Sequence, residues 1–231
     1  MAKGKKKAQT AEPTKQELSE FAYKPTVAQG LDAEKPFGSQ SYKCMKGLLM
    51  QRVNPSRYVH SISVAKTARK LARTYGYDGH VARMAGLLHD WDKALLPEKL
   101  QRISDFDLGI DAETVRTMPW VLHGPTAAAV LRRDFPCFGE EVFQAIERHT
   151  VGAPDMAPLD MIVFVADKIE PTHDVAEYKR LYKQMGSLSL EEMFYAVLKE
   201  GMGYLVRAGK PISYDSVTVW NWYNGAGSHE Q

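Results

Sequence analysis

The sequence contains little cysteine and no long hydrophobic run. Cys44 and Cys137 are its two cysteines among 231 residues, too few for a disulfide scaffold or for a zinc site of four thiolates. No segment approaches the roughly 20 consecutive apolar residues that a membrane-spanning helix needs. The charged N-terminal residues are not followed by an apolar segment, so they do not form a secretory signal. The sequence therefore predicts a cytoplasmic protein that makes no contact with membranes.

An excess of charge is also absent from most of the chain. The net charge is +2, and residues 1–42 account for it with seven Lys against five Asp or Glu. The rest of the chain holds 23 basic and 23 acidic side chains. A neutral body lacks the basic footprint that nucleic-acid binding normally needs, so no nucleic-acid partner is expected. Residues 1–42 show no sustained periodicity and are predicted to be a disordered basic extension.

The sequence is poor in the signals of β-structure. It has no hairpin pattern, no alternation of strands and helices and no internal repeat, whereas apolar residues recur at spacings of three and four through residues 55–75. Ser189 and Glu192 form a capping-box pattern ahead of another helix. The apolar segment 161–169 could be a strand by composition, but its helical surroundings favour a buried helix. We predict an all-α fold. The predicted domain spans residues 43–224, and a flexible C-terminal tail follows, residues 225–231.

The side chains that can carry chemistry are histidines and aspartates in or beside the predicted helices. They are His60, His89, His123, His149, His173, Asp90 and Asp167. Imidazole nitrogens and carboxylate oxygens together suit divalent Fe, Mn, Zn or Co. A single histidine on a helix is usually a surface residue or a satisfied core residue. Asp167 is a stronger signal, because a carboxylate in the most apolar segment is costly to bury unless it is paired or binds a cation.

Simpler explanations exist for each of these residues taken singly. Lys168 follows Asp167 directly, but neighbouring residues of a helix point about 100° apart, so an ion pair between them is a weak alternative to a metal site. Asp90 next to His89 could be no more than a polar pair at the end of a helix. The order of the residues along the chain is therefore more informative than any one of them.

That order resembles the H…HD…D signature of the HD-domain phosphohydrolase superfamily, in which a helical bundle holds a metal that activates water against phosphate esters or anhydrides. Three segments resemble the YqeK family in particular: RYVHSISVAKTARKLARTYGYD, AGLLHDWDKAL and AIERHTVGAPDMAPLDMIVFVADKIEP. The similarity covers about residues 43–222. It implies an HD-domain helical bundle that hydrolyses diadenosine tetraphosphate symmetrically into two ADP.

The resemblance also implies three sets of site residues. The iron ligands would be His60, His89, Asp90 and Asp167, with Mn, Co or Zn as substitutes. The catalytic residues would be Asp90, Lys93 and His123. The nucleotide would contact Arg57, His60, Lys93, Ala94, Leu95, Leu96, His123, His149, Thr150, Asp167, His173, Ala208, Gly209, Lys210, Pro211, Ile212 and Ser213. His123 and His149 could bind a second metal or donate hydrogen bonds to phosphate oxygens, and the sequence leaves both open.

Three features depart from the pattern of the family. His173 stands where the family usually has Arg, and an imidazole offers phosphate a weaker and pH-dependent contact. Asp92 stands where a small apolar residue is common, and it is expected to face solvent rather than to orient Lys93. The N-terminal extension has no counterpart in the family. Substrate preference could therefore differ from that of the family.

The expected reaction is metal-assisted hydrolysis of a phosphoanhydride, in which water activated at the metal attacks an inner phosphorus and ADP leaves. Lys93, His123 and Arg57 would stabilise the phosphate oxygens, and either Asp90 or Asp167 would receive the proton. The alternatives are an HD-domain nucleotidase that acts on mononucleotides and a nucleotide-sensing HD module. The partner would be a small dinucleoside polyphosphate, and the protein a monomer or a homodimer.

Overall fold

The computed structural model describes residues 29–104, 108, 110 and 112–226, and its regular secondary structure is helical throughout these residues. The all-α prediction is confirmed. The α-helices are α1 (Ser39–Arg52), α2 (Pro55–Thr74), α3 (Gly79–Leu88), α4 (Pro97–Ser104), α5 (Ala112–Thr117), α6 (His123–Asp134), α7 (Glu140–Arg148), α8 (Pro158–Ile169), α9 (Ala176–Lys183), α10 (Leu190–Arg207) and α11 (Tyr214–Asn221). Single turns of 3₁₀-helix at Pro119–Val121 and Pro136–Phe138 and a π-helical turn at Trp222–Ala226 complete the list.

Helices α2 and α3 form a hairpin that begins the bundle. The Asn54 side chain caps α2 by accepting a hydrogen bond from the Arg57 N–H at 2.9 Å, and Asp78 caps α3 in the same way. Gly86 lets the two helices approach closely, because an added Cβ there would lie only 3.2 Å from the Cα of Ala65. The hairpin places the end of α3 beside the beginning of α2.

Helix α8 is the central element and confirms the buried helix predicted for the apolar segment. It contacts α2, α3, α7, α9 and α10. Val163 joins one hydrophobic core with α1, α3, α6 and α7. Ile162 and Phe164 join a second core with α2 and α10. A helix that is covered on all sides needs apolar residues all round, which explains its lack of a polar face.

The folded body begins earlier than the sequence analysis placed it. Helix α1 starts at Ser39, four residues ahead of the predicted boundary, and Leu31 and Phe37 pack against the core. The buried Ser41 hydroxyl donates to the Lys35 carbonyl at 3.0 Å. These contacts hold an irregular segment that no periodicity could reveal. The remainder of the predicted extension, residues 1–28, and of the predicted tail, residues 227–231, lie outside the described residues.

The expectation that Asp92 faces solvent is wrong. Its side chain is fully buried and pairs with the Arg52 guanidinium at the end of α1. Arg52 Nε also donates to the Trp91 carbonyl at 2.7 Å, and the guanidinium lies 4.7 Å from the centroid of the Trp91 ring. Arg52 therefore attaches α1 to the turn that follows α3, which is the turn that carries Asp90 and Lys93.

The described part of the chain has no helix long and apolar enough to cross a membrane. The apolar residues near the C-terminus pack partly on the domain itself. Val219 is buried, and the Trp220 ring stacks on Tyr195 with centroids 6.2 Å apart. Val217 and Trp222 remain exposed.

Candidate metal centre

The ends of several helices bring histidines and aspartates to one buried place. His89 directly follows α3, His123 begins α6 and His149 directly follows α7. They meet His60 from α2 and Asp167 from α8, and all five side chains are buried. The loops thus contribute little, and the packing of α2, α3, α6, α7 and α8 determines the arrangement.

Asp90 lies in the middle of this cluster, with one carboxylate oxygen facing each pair of histidines. Its Oδ2 is 3.3 Å from His89 Nε2 and 3.6 Å from His60 Nε2. Its Oδ1 is 3.2 Å from His123 Nε2 and 3.8 Å from His149 Nε2. Asp90 therefore joins two sets of donors through its two oxygens.

Asp167 contacts the first pair and also lies within reach of His149, with which it and His89 form a further group of candidate ligands. Its Oδ1 is 3.0 Å from His60 Nε2 and 3.4 Å from His89 Nε2. Its Oδ2 accepts from Lys168 Nζ at 2.5 Å, so discounting an ion pair between neighbouring helical residues was wrong. The long lysine side chain bends back to reach a carboxylate that its own Cβ does not face. The same carboxylate can thus be paired and still present an oxygen to the histidines.

Each histidine of the cluster holds its Nε2 atom toward the centre through a hydrogen bond at Nδ1. For the three histidines at helix ends, the acceptor is a carbonyl oxygen three residues earlier at 2.6–2.8 Å. These pairs are His89 with Gly86, His123 with Trp120, and His149 with Ile146. A carbonyl oxygen can only accept, so Nδ1 of each ring carries a proton and Nε2 is the ring atom that faces the centre.

For His60, the acceptor at Nδ1 is the carboxylate of Glu170. The sequence did not predict this role. Glu170 Oε1 lies 3.0 Å from His60 Nδ1. Burial raises the pKa of Glu170, but hydrogen bonds from His60, Ser63 and Thr172 outweigh this and lower it to about 2. The side chain is therefore an ionised acceptor. Nothing in the local sequence signals this role, because its partner lies 110 residues away.

The donor set fits a divalent metal. His60, His89 and Asp90 form one group whose ligand atoms lie within 4.8 Å of one another, and Asp90, His123 and His149 form another. The buried Nε2 of His89 has no hydrogen-bond partner, as expected of a donor that serves a metal. Burial lowers the pKa of His149 to about 4, so this ring is neutral and able to ligate at pH 7.

Three further polar side chains border the cluster. Arg57 Nη1 donates to Asp90 Oδ2 at 2.8 Å. On the other side of Asp90, Lys93 Nζ lies 3.4 Å from both ring nitrogens of His123, and burial lowers the pKa of this lysine. The Thr150 hydroxyl is 3.3 Å from His123 Nε2. Arg57 thus contacts Asp90 Oδ2, and Lys93 contacts the histidine that faces Asp90 Oδ1.

His173 lies at the edge of the cluster, beside His60, and its side chain is partly exposed to solvent. Its ring centroid is 5.5 Å from that of His60, and its Nε2 is 3.7 Å from Glu170 Oε1. Burial lowers its pKa. His173 also belongs to a third group of candidate ligands with His60 and Asp167.

The remaining predicted nucleotide contacts are not joined to the cluster by any hydrogen bond or ion pair that the described residues show. Ala94, Leu95 and Leu96 follow Lys93, and Leu96 is exposed. The segment 208–213 forms the turn between α10 and α11. There Gly209 has a positive φ, Lys210 Nζ donates to the Tyr204 hydroxyl, and Ser213 caps α11. In that turn Ala208 ends α10, and Pro211 and Ile212 lead to Ser213.

Comparison with known proteins gives a consistent picture. The HD-domain family matches residues 57–172. A Staphylococcus aureus protein named bis(5'-nucleosyl)-tetraphosphatase, symmetrical, is 31% identical over 183 residues, which cover 78% of this chain and 92% of that protein. A Bacillus subtilis protein of the same name is 27% identical, covering 79% and 95%. A Mycoplasma genitalium protein named probable nicotinate-nucleotide adenylyltransferase/Ap4A hydrolase is 34% identical, covering 53% and 34%.

A solved structure has the same fold. It is the crystal structure of a predicted HD superfamily hydrolase involved in NAD metabolism from Clostridium acetobutylicum. The TM-score is 0.74 at 29% sequence identity, and the match covers 81% of this chain and 98% of that one.

Proposed function

Because this chain belongs to the HD-domain family, we propose that it is a metal-dependent hydrolase that splits diadenosine tetraphosphate symmetrically into two ADP. The observation that carries the proposal is the position of Asp90 between two pairs of buried histidines, with Arg57 and Lys93 on either side. Such a site combines ligands for a cation with positive charge for a phosphate chain. The names of the relatives supply the substrate.

The metal would be held by His60, His89, Asp90 and Asp167. A divalent ion bound there supplies a Lewis acid that lowers the pKa of water and polarises a phosphoryl oxygen. The resemblance to the YqeK family favours iron, although the nitrogen and oxygen donors also accept Mn, Co or Zn. His123 and His149 would hold a second ion together with Oδ1 of Asp90.

Arg57 and Lys93 would direct the reaction to the middle of the phosphate chain. Arg57 lies on the Oδ2 side of Asp90 and Lys93 on the Oδ1 side, so each can bind the phosphates of one half of a symmetrical substrate. The bond between water oxygen and one inner phosphorus then forms at the centre, and the bond from that phosphorus to the central bridging oxygen breaks. Two ADP leave for one water consumed. Arg57 and Lys93 stabilise the charge on the oxygens, whereas His123 would serve the second ion.

Product analysis in labelled water tests this proposal. The purified protein is loaded with Fe, Mn, Co or Zn and incubated with diadenosine tetraphosphate in ¹⁸O-water, and the products are separated by ion exchange and weighed by mass spectrometry. ADP as the sole nucleotide product, with the label on the β-phosphate of one ADP in two, is the expected result. AMP with ATP would contradict symmetrical cleavage. Turnover of mononucleotides alone would favour the nucleotidase.

Glu170→Gln tests whether the Glu170 carboxylate orients the His60 ring through Nδ1. The amide keeps the size of the side chain but removes the charge that fixes the His60 Nδ1–H, so metal affinity and turnover are expected to fall about 10- to 100-fold. Titration with Mn²⁺ and steady-state kinetics measure the two effects. Glu177→Gln is the matched control, because Glu177 pairs with Arg180 on the surface. Equal behaviour of both variants would remove Glu170 from the site.

Gly124→Ala tests the close approach that brings His123 to His149. An added Cβ would lie 2.9 Å and 3.0 Å from the carbonyl oxygens of Glu147 and Ile146, and backbone atoms cannot move aside cheaply. We expect α6 to shift away from α7 and turnover to fall by about tenfold to 100-fold, since a 1 Å misplacement costs that much. Gly201→Ala on α10 is the control, because its Cβ would meet nothing within 4 Å. Full activity in both variants would contradict the prediction.

A further inference from the structure

A concentrated patch of positive charge lies on the outer face of the α2–α3 hairpin, although the body as a whole is neutral. Lys66, Arg69, Lys70 and Arg73 of α2 line a groove of about 370 Å³ together with Thr74. The stems of Arg69 and Arg73 pack against the start of α3 at Gly79. The mechanism proposed above uses none of these side chains. This set, with Arg83 of α3, is called the basic groove below.

Two cations of the basic groove, Lys70 and Arg83, lie over aromatic rings, and no acidic side chain of the described residues forms an ion pair with any of the five. The Arg83 guanidinium lies 3.8 Å from the centroid of the Tyr42 ring. Lys70 Nζ lies 4.5 Å from that of Tyr182. An aromatic ring orients a cation without neutralising it. The groove therefore keeps its positive charge, and the rings orient two of its cations, Lys70 and Arg83.

Two guanidinium groups of the basic groove also have hydrogen-bonding capacity to spare. The Nε atoms of Arg69 and Arg83 are buried and have no hydrogen-bond partner. Such groups are rare in folded proteins and call for an acceptor. Burial and the charges of Arg69 and Arg73 lower the pKa of Arg83, so the cations repel one another. A bound anion would relieve that repulsion.

We propose that the basic groove is a second anion site, which binds a chain of two or more phosphates. It is separate from the metal centre, because Arg69 lies nine residues after His60 on the same helix. That spacing places it about 14 Å along the axis and about 180° around it. Four of the five cations line one short groove, and each of the rings of Tyr42 and Tyr182 has a cation over one face. A small phosphate chain therefore fits better than a nucleic acid, which needs a long basic track and free rings for stacking.

The test follows the side-chain Nε–H signals of arginine by NMR in the full-length ¹⁵N-labelled protein. Inorganic pyrophosphate and ADP, which carry the same number of phosphates, are each titrated in at low salt. We expect the signals of Arg69 and Arg83, identified by their loss in Arg69→Gln and Arg83→Gln, to shift and saturate. Binding at Arg57 in the metal centre gives a separate curve. Equal affinity for both probes assigns a site for phosphate alone, and tighter binding of ADP adds the nucleoside.

The variant Arg69→Gln/Arg73→Gln should weaken the binding at Arg83 about tenfold or more, because each lost charged hydrogen bond costs about that factor. Glutamine keeps the Cγ atoms that touch Gly79, so the hairpin should stay folded. Lys179→Gln/Arg180→Gln on α9 is the matched control, since both residues already pair with acids, and it should change nothing. Unshifted Arg69 and Arg83 signals at millimolar probe would overturn the proposal. Binding of an RNA oligonucleotide that is tighter than pyrophosphate and grows with length would also overturn it.

Discussion

Asp90→Asn is expected to reduce turnover of diadenosine tetraphosphate by about 1000-fold or more, equivalent to about 4 kcal/mol, and to lower the content of bound metal. Each carboxylate oxygen of Asp90 faces the Nε2 atoms of one pair of histidines. The distances from Oδ2 are 3.3 Å to His89 and 3.6 Å to His60, and those from Oδ1 are 3.2 Å to His123 and 3.8 Å to His149. The amide has nearly the same shape but a single, uncharged oxygen. It therefore cannot serve both sets of donors, and it also leaves Arg57 without its carboxylate.

Two measurements check this result, metal content by plasma mass spectrometry and initial rates with each metal in excess. Asp174→Asn is the matched control, because Asp174 pairs with Lys179 on the surface, and it should retain both metal and rate. An Asp90→Asn protein with full metal content and normal turnover would remove Asp90 from the ligand set. Loss of rate with full metal content would leave it a role in catalysis alone.

Asp92→Ala is expected to lower the free energy of unfolding by about 3–5 kcal/mol. The Asp92 side chain is fully buried, and the side chain of its partner Arg52 is 13% exposed. Burial lowers the pKa of Arg52 to about 10 in spite of Asp92, which shows how far the guanidinium is removed from water. Without the carboxylate, a largely buried positive charge loses its ion pair with Asp92, and the charge of Asp134 compensates only in part. The turn that carries Asp90 would then lose one of its attachments to α1.

Urea unfolding in the presence of metal measures this effect, and the double variant Arg52→Met/Asp92→Ala makes the test specific. The double variant should be more stable than Asp92→Ala alone, because no uncompensated charge stays buried. Glu140→Gln, which breaks the exposed pair with Arg132, should cost less than about 1 kcal/mol. If Asp92→Ala behaved like Glu140→Gln, the buried pair would not stabilise the fold.

The sequence predicted many of the side chains that the structure brings together in the candidate metal centre, because they stand at helix ends and in one very apolar helix. His89 and Asp90 follow a recognisable apolar helix, and Asp167 is conspicuous in its segment. By contrast, Glu170 and Arg52 act on partners far away in the sequence, at separations of 110 and 40 residues. Periodicity reports which face of a helix is buried, but it does not report which distant side chain meets it.

Three predictions from the sequence were wrong because contacts that periodicity does not report determine the structure. Asp92 was expected at the surface because a carboxylate normally is, and its burial depends on a guanidinium that arrives from α1. Lys168 was discounted on Cβ directions, whereas a four-carbon side chain reaches well beyond them. Residues 29–42 lack periodicity, yet Leu31 and Phe37 are enough to pack that segment on the body.

The hydrogen bonds that hold the histidine rings have a consequence for how metal is acquired. Three of the four rings are fixed by carbonyl oxygens of the backbone, so their orientation is established when the helices form. The site is thus preorganised, and the entropy of ordering its ligands is lost during folding rather than during binding. The acceptors are backbone atoms, so an exchange of a neighbouring side chain does not remove them. The affinity for metal should therefore tolerate sequence drift around the site as long as the helix ends keep their places.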